Sequence, residues 1–411
     1  MHARHSTAAL GLAAATLIAV AAVAAAAAIA AAAQQTPVAS KPSLSIRVPV
    51  PPAVVVTDGL GRLVYELHIE NRGDGAITLT SLEVRTETSD AKATPAVRLD
   101  GDQLIRALDA PADRQAPLAI AVGGRRVIYV DVGVKAQPRE LRHVLRAASS
   151  RSAASASAAT KVEETLSVTV DPTPPVILGP PLTGGPWASV YHSDWERGHR
   201  RVFYTVDGVT RLPGRYTIDF VKLDDAGRTT RSGGDSDLAA DSLGYGADVM
   251  AVSDATVAAV RDDMPEVTRV SARVKNRQED AAGNYVSLDL GNGRFAVYEH
   301  LKPRSIRVRV GDRVRRGDII GQLGFTGDST GPHLHLHVGD AALPIAAEGR
   351  PFVFEHFDAD HCARALRRAF ALYARPTEWR RVRATGMRQH HDWRRAAAHY
   401  IEVYGQALQA A

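Results

Sequence analysis

The chain has 411 residues, a formal net charge of +5 and a single cysteine, Cys362. This length exceeds what one hydrophobic core usually organises, and it therefore predicts at least two domains. No block of like charge stands out, so nucleic-acid binding gains no support, and a lone cysteine excludes an intramolecular disulfide or a multi-cysteine zinc site.

The N-terminal segment is strongly apolar. Residues 1–33 open with basic side chains and continue as an almost unbroken run of Ala, Leu, Val and Ile. Three alanines before Gln34 offer a small-residue cleavage site, which is typical of an export signal. Because the run is longer than a usual signal core, an uncleaved membrane anchor is the alternative. Either interpretation places the rest of the chain outside the cytoplasm, as a periplasmic, envelope-associated or secreted protein, after a polar linker at 34–43.

Residues 44–170 carry short apolar segments separated by Gly, Asp and Pro. The clearest alternation is that of Leu63, Tyr65, Leu67 and Ile69. Since successive side chains of a strand point to opposite faces, such segments predict half-buried β-strands. Many short strands with little helical periodicity predict an immunoglobulin-like β-sandwich. No cluster of titratable residues is evident, so this domain is interpreted as a spacer or docking module.

A proline-rich segment, 171–186, predicts a stiff linker to a second domain at 187–350. Strand-like segments continue there, and Gly291-Asn292-Gly293 joins two of them as a hairpin. The pattern predicts a mostly antiparallel sheet with a groove.

The most informative stretch of the second domain reads His333-Leu334-His335-Leu336-His337. On a strand the three imidazoles share one face, while the two leucines point into a core. Histidines at i and i+2 on a rigid strand converge on one point, as a zinc ion held by nitrogen ligands requires. The alternative is a polar strand face turned to solvent. His337 either orients a ligand from outside the coordination sphere or lines the groove wall.

Together with Tyr298-Glu299-His300-Leu301 and the glycine-marked segment 310–321, this strand resembles the lysostaphin-type zinc metallopeptidases, which cut peptide bonds in bacterial cell-wall cross-links. The resemblance implies that His335 is a zinc ligand and that His333 and His300 have catalytic or oxyanion-stabilising roles. Tyr298 belongs to the same motif as His300.

The first motif of that family, His-x-x-x-Asp, has its best counterpart in Arg215 to Asp219, which implies that Asp219 is the carboxylate ligand. Arg215 departs from the motif, because a guanidinium stays protonated and cannot donate a lone pair to a metal. Either another residue supplies the third ligand, with His199 the first candidate and His192 the second, or the site has lost zinc. His199, just upstream, resembles together with Trp187 a variant branch of the family whose members also read Arg-x-x-x-Asp.

The C-terminal segment, 351–411, has apolar residues at helical spacing and predicts a short helical appendix. Its residues, among them Tyr373, Trp379 and Trp393, resemble the C-terminal end of bacterial glycogen or starch synthases. The donor-site motif and the nucleotide-sugar domains of those enzymes are not found in the sequence, so their activity is not carried over.

The sequence therefore predicts a mainly β protein: an N-terminal immunoglobulin-like sandwich, an antiparallel metallopeptidase domain and a helical tail. The expected function is zinc-dependent hydrolysis of peptide bonds in peptidoglycan, with peptidoglycan peptides as the partner, no nucleic acid, and a possible membrane tether. The alternatives are a catalytically degenerate domain that binds the wall or activates another wall hydrolase and, more remotely, a glycosyltransferase-related protein. The oligomeric state and the bond cleaved stay open.

Overall fold

A computed structural model describes residues 44–355 and Arg375, apart from these segments: 58–59, 87–93, 111–113, 151–159, 194 and 196–197. The predicted export segment, and the tail beyond residue 355 except for Arg375, lie outside the described residues. Within the part that is described, no helix is both long and apolar enough to cross a membrane.

Two antiparallel sheets form the first domain. Its elements in chain order are β1 (Leu44–Arg47), β2 (Val54–Thr57), β3 (Leu60–Asn71), β4 (Ala76–Thr86), β5 (Val97–Asp100), α1 (Gly101–Ala107), β6 (Ala119–Ile120), β7 (Arg125–Val134), β8 (Glu140–Ser150) and β9 (Thr160–Thr169). One sheet joins β1, β2 and β7 to β3, and the other runs β5-β4-β8-β9 with β6 on β4.

The alternation on β3 sets the faces of this sandwich. Leu63, Tyr65, Leu67 and Ile69 are buried in the core between the sheets. Glu66 lies on the opposite face of the same strand, yet it is also buried. The predicted mainly β class is confirmed. The burial of Glu66 on the outer face of β3 indicates that another part of the chain packs against that face.

The second domain is built on an eight-stranded sheet. The strands that follow β9 in chain order are β10 (Val176–Leu178), β11 (Trp187–Val190), β12 (Tyr204–Val206), β13 (Val209–Arg211), β14 (Ile218–Lys222), β15 (Asp248–Met250), β16 (Ala255–Arg261), β17 (Asn284–Asp289), β18 (Phe295–Leu301), β19 (Arg313–Val314), β20 (Ile319–Gln322), β21 (Leu334–Gly339), β22 (Gly349–Arg350) and β23 (Phe352–Phe354). Short 3₁₀ helices lie at His199–Arg201, Pro213–Tyr216, Ala239–Asp241, Val270–Ala272, Gln278–Asp280 and Pro344–Ala346.

The main sheet has the order β11-β14-β21-β18-β17-β16-β19, with β22 on β21, and all of its pairings are antiparallel. Smaller two-stranded sheets join β12 to β13 and β15 to β20. Strand β10, within the segment predicted as a linker, pairs in parallel with β23, at the start of the predicted tail. Both strands are short apolar runs, so pairing them extends the second domain beyond the bounds that the sequence suggested.

The central strand β21 separates a core face from a polar face. Leu334, Leu336 and Val338 are fully buried in the hydrophobic core, as the alternation predicts. His335 and His337 point to the other face of the sheet. In register, His335 lies opposite Asp219 of β14 on one side and Glu299 of β18 on the other. The sheet thus places three ionisable side chains in one row.

Tyr298, from the motif that also holds His300, is a core residue. It is fully buried, and its hydroxyl oxygen accepts a hydrogen bond from the backbone N–H of Val252 at 2.8 Å. We expect Tyr298→Phe to destabilise the fold by about 1–3 kcal/mol, because the buried Val252 N–H loses its acceptor. Chemical denaturation of the variant measures this. Metal affinity should not change, and a variant of normal stability with impaired metal binding would contradict this structural role.

Candidate metal centre

Asp219 is the residue around which the polar face of the sheet is arranged. Its Oδ1 atom lies 3.1 Å from Nδ1 of His335 and 3.4 Å from Nε2 of His333. Its Oδ2 atom lies 2.8 Å from Nε2 of His199. The structure therefore brings one carboxylate and three imidazoles together, and they come from β14, β21, the turn just before β21 and a loop far upstream.

His199 reaches Asp219 from a loop and not from the sheet. It opens the 3₁₀ helix His199–Arg201, and its ring centroid lies 4.6 Å from that of His335. Gly214 permits this approach, because a Cβ atom at that position would lie 2.7 Å from the carbonyl oxygen of His199 and 2.8 Å from its Cβ. The second candidate, His192, stacks near Trp195 with ring centroids 6.4 Å apart. Of the two histidines considered from the sequence, the structure places His199 at Asp219.

A β-bulge in β18 brings the His300 side chain into the site. The pairing of β17 with β18 shifts register between Tyr298 and Leu301, and His300 has a left-handed φ of 63°. Strict alternation would have sent His300 to the core face, whereas the bulge turns its ring to within 4.9 Å of the His333 ring. A left-handed conformation is unfavourable for a residue other than glycine, so the surrounding structure must hold it in place.

The ring orientations of His300 and His333 are fixed by carbonyl oxygens. Nδ1 of His300 lies 2.8 Å from the carbonyl oxygen of Thr326, and Nδ1 of His333 lies 2.7 Å from that of Gly331. A carbonyl oxygen only accepts, so Nδ1 of each ring carries the proton and donates it. In the neutral form of each ring, the Nε2 atom is therefore unprotonated.

Three buried polar atoms of the site lack hydrogen-bond partners, as expected of atoms that surround a cation. Asp219 Oδ1, His335 Nδ1 and His333 Nε2 are buried and have no hydrogen-bond partner, despite their short separations. Buried polar atoms are normally paired, because an unpaired one loses its interaction with water without replacement. The ligand atoms of His199, Asp219 and His335 all lie within 4.8 Å of one another. Two imidazole nitrogens and a carboxylate oxygen are a donor set typical of catalytic zinc.

The charges of the site support the same interpretation. Burial on its own would raise the pKa of Asp219, but the imidazoles of His199, His333 and His335 around the carboxylate outweigh burial and hold the pKa well below the usual range. Burial, together with the neighbouring His333 and His335, lowers the pKa of His300 well below that of an ordinary histidine. At neutral pH, Asp219 is therefore an anion and His300 a neutral imidazole.

Arg215, at the position where the resemblance expects a histidine ligand, points away from this centre. Its guanidinium donates to Glu66 Oε2 at 2.7 Å and to Glu348 Oε2 at 3.1 Å. Although burial alone would lower the pKa of Arg215, the charge of Glu66 raises it further above its ordinary value. A permanently charged group paired elsewhere cannot serve as a metal ligand, and His199 occupies the place beside Asp219.

Glu299 is a site residue whose role the sequence pattern does not reveal. It is buried between two imidazoles, with its carboxylate 3.8 Å from His335 Nε2 and 3.4 Å from His337 Nδ1. Burial raises the pKa of Glu299, and burial lowers the pKa of His337 well below its ordinary value. The strand register pairs Glu299 with His335, so knowledge of that pairing would have identified it. A carboxylate on the far nitrogen of a metal-binding histidine typically fixes the orientation of the ring.

The centre is open on the side of His199. That side chain is 40% exposed, whereas those of Asp219 and His335 are 18% and 9% exposed. A cleft beside it is lined by His199, Tyr204, Glu299, His335 and Ile345, among others. A ligand can therefore approach the centre without opening the core.

Fold and site together define a cluster of two histidines and a carboxylate on an antiparallel sheet, flanked by two further imidazoles, with a donor set that could hold a metal ion. Residues 237–346 match the model of peptidase family M23, which confirms the resemblance to the lysostaphin-type peptidases. The matched segment contains the strands with Glu299, His300 and His335, but it begins after His199 and Asp219. Members of this family are zinc-dependent metallopeptidases.

Solved structures of similar proteins include the catalytic domain of a point mutant of the prophage-encoded M23 protein EnpA from Enterococcus faecalis, at 19% identity, with 42% of this chain and 92% of that chain covered and a TM-score of 0.25. The catalytic domain of the antimicrobial peptidase lysostaphin from Staphylococcus simulans is 21% identical, with 40% and 88% covered and a TM-score of 0.24.

A short stretch of the chain is similar to bacterial glycogen synthases. The glycogen synthase of Variovorax paradoxus (strain S110) is 55% identical over 76 residues, which are 18% of this chain and 15% of that protein. That of Edwardsiella ictaluri (strain 93-146) is 44% identical over 73 residues, again 15% of its length. The chain thus spans about 15% of the length of these curated relatives, in agreement with the short resemblance noted in the sequence.

The assignment of His199 as a ligand predicts a selective loss of metal binding. We expect His199→Ala to weaken zinc binding by more than about 100-fold, since changes to groups that only orient a ligand already cost 10–100-fold. Competition with a chromophoric chelator measures the dissociation constant. His192→Ala is the matched control, because it removes a histidine from the same loop, and equal losses in both variants would contradict the assignment.

The charges around His335 predict how zinc binding depends on pH. Burial on its own would lower the pKa of His335, but the charges of Glu299 and Asp219 outweigh it and raise the pKa. A ligand must be the neutral imidazole, so protons displace zinc as the pH falls through this raised pKa. Glu299→Gln removes one of the charges that raise it. We therefore expect zinc affinity, measured between about pH 5 and 8, to begin to fall at a lower pH in the variant than in the wild type. An onset at the same or a higher pH would contradict this account.

Proposed function

We propose that the second domain is a zinc-dependent endopeptidase that hydrolyses peptide bonds in bacterial cell-wall peptidoglycan, and that the chain is exported to reach this substrate. The observation that carries the proposal is the convergence of His199, Asp219 and His335, in which His199 supplies the third ligand that Arg215 cannot. The family match at residues 237–346 supports the reaction class. The apolar N-terminal segment supports the location.

The residues present fit a zinc ion, with His199 Nε2, an oxygen of Asp219 and His335 Nδ1 as the protein ligands. When bound, zinc would polarise the scissile carbonyl and lower the pKa of a water molecule towards about 7. Three ligands leave a coordination position open for that chemistry. The carboxylate of Glu299, 3.8 Å from Nε2 of His335, adds a negative charge on the side of the ring away from Asp219.

His300 and His333 are the groups that move protons in this proposal. Both have Nδ1 bonded to a carbonyl oxygen, so the unprotonated Nε2 can accept a proton. The low pKa of His300 keeps it neutral at pH 7. It can therefore take a proton from the attacking water and return it to the leaving amine. His333, with Nε2 3.4 Å from Asp219, is the alternative acceptor of the proton that the attacking water releases, and the N–H so formed can donate to the developing oxyanion.

Digestion of purified peptidoglycan by the full chain tests the proposal. Amino groups should be released while zinc is present. Their release should stop on chelation and resume when zinc is restored. His300→Ala and His333→Ala are each expected to lower the rate by about 10²–10⁴-fold, the usual contribution of a proton-transferring group. The control variant His192→Ala should digest at the wild-type rate.

The alternative, a catalytically degenerate module, is favoured by one observation: Arg215 stands at a ligand position. It predicts binding to peptidoglycan that neither chelation nor His300→Ala changes, without release of amino groups. That result, or a protein that takes up no zinc from a zinc-replete buffer, would overturn the enzymatic proposal. Glycosyl transfer is not proposed, since the match to glycogen synthase covers 15% of that enzyme.

A further inference from the structure

The loop that carries His199 is held by the first domain. Arg200, the next residue, is 2% exposed, and its Nε atom donates to Glu66 Oε1 of β3 at 2.8 Å. Its Nη2 atom donates to the carbonyl oxygens of Tyr65 and Val130 at 2.5 and 2.8 Å. The guanidinium of Arg200 is thus fixed by a carboxylate and two carbonyl oxygens of the other domain.

The same carboxylate also holds the segment that leads to Asp219. Arg215 donates to the second oxygen of Glu66 at 2.7 Å, and it lies in the 3₁₀ helix just before β14. Glu348 and the carbonyl oxygen of Gly349 complete the bonding of this guanidinium, at 3.1 and 3.0 Å. Glu66 therefore joins the segments that carry two of the three proposed ligands.

Arg201 strengthens the attachment of the His199 loop. It donates to the carbonyl oxygen of Leu108 at 2.7 Å, and its guanidinium carbon lies 4.0 Å from the centre of the Tyr129 ring. Both residues after His199 are consequently bound to the first domain. His335 and Asp219 lie on hydrogen-bonded strands of the main sheet, whereas His199 lies in a three-residue helix. It is the ligand that most needs outside support.

We propose that Glu66 is a positioning residue for the metal centre, and that the β-sandwich is thereby a structural part of the zinc site and not only a spacer. The inference rests on the proposed zinc site. Without the charge of Glu66, the buried guanidinium of Arg200 loses its carboxylate partner and that of Arg215 keeps only Glu348. A buried guanidinium that loses a charge partner moves towards water or other acceptors. Movement of Arg200 displaces His199, and movement of Arg215 displaces the start of β14. A ligand that must be reordered on binding gives a weaker site.

The chain offers a matched control for this proposal. Glu83 of β4 is also a buried glutamate, and it bonds three arginines of its own domain, Arg85, Arg98 and Arg146, at 2.9, 2.6 and 2.9 Å. Glu66→Gln and Glu83→Gln therefore both remove a buried, arginine-paired charge from the same sandwich. Of these two glutamates, it is Glu66 that bonds the segments carrying His199 and Asp219.

The experiment compares the full-length variants by zinc affinity in chelator competition, by the visible spectrum of the cobalt-loaded protein and by thermal unfolding. We expect Glu66→Gln to weaken zinc binding by up to about 100-fold, the upper range for loss of a group that orients a ligand directly. The cobalt spectrum should change as well, because a displaced His199 alters the coordination geometry. Glu83→Gln should keep the wild-type affinity and spectrum, even where it lowers the unfolding temperature as much. Glu66→Asp, which retains the charge, should recover part of the affinity.

Arg200→Lys keeps the charge but loses the planar arrangement of donors, and it serves as the second probe if Glu66→Gln does not fold. It too should weaken zinc binding and change the cobalt spectrum. Wild-type affinity in a folded Glu66→Gln, or in Arg200→Lys in its place, overturns the inference, as does an equal loss in Glu83→Gln. Each of these results leaves the proposed function standing. A wild-type protein that binds no zinc removes the proposed function itself.

Discussion

The contact between the carboxylate of Asp219 and the nitrogens of His199 and His335 is the constraint on which the site depends. The β14–β21 register places Asp219 beside His335, and the absence of a side chain at Gly214 lets His199 approach from outside the sheet. A shift of either strand by one residue would turn its side chain to the core face. The orphaned oxygen of Asp219 and nitrogen of His335 are consistent with an arrangement shaped for a cation and not for internal hydrogen bonding.

Arg215 shows how the proposed metal site can tolerate a cation at a position where the family motif has a ligand. Its charge is paired with the carboxylates of Glu66 and Glu348, so it holds the backbone before β14 and is not a ligand. The proposed third ligand is instead His199, 20 positions before Asp219 in the chain. Motif spacing in the sequence thus selects Arg215, whereas the residue that lies beside Asp219 in space is His199. The segment that matches the peptidase family, 237–346, contains neither His199 nor Arg215.

Much of the fold, and part of the site, follows from sequence periodicity. The alternation of His333 to His337 with leucines assigned the faces of β21 correctly, and Leu63 to Ile69 did the same for β3. Periodicity could not show the bulge that turns His300 to the groove, since a bulge breaks the alternation from which a face is inferred. Nor could it show the roles of Glu299 and Glu66, whose partners are set by strand register and by contacts across 134 and 149 residues of chain.

The buried network at Glu66 is better understood as a source of specificity than of stability. Burying two guanidinium groups and a carboxylate carries a desolvation penalty that their attraction often only balances, so such networks are weak contributors to the free energy of folding. Here the bonds have a fixed geometry, because Glu66 offers one oxygen to Arg200 and the other to Arg215. Apolar side chains of equal volume could fill the same space, but they would not fix the position of the residue beside them. A histidine on a three-residue helix gains its orientation from such directional bonds, and this is a physical reason for placing charged groups where apolar ones would pack as well.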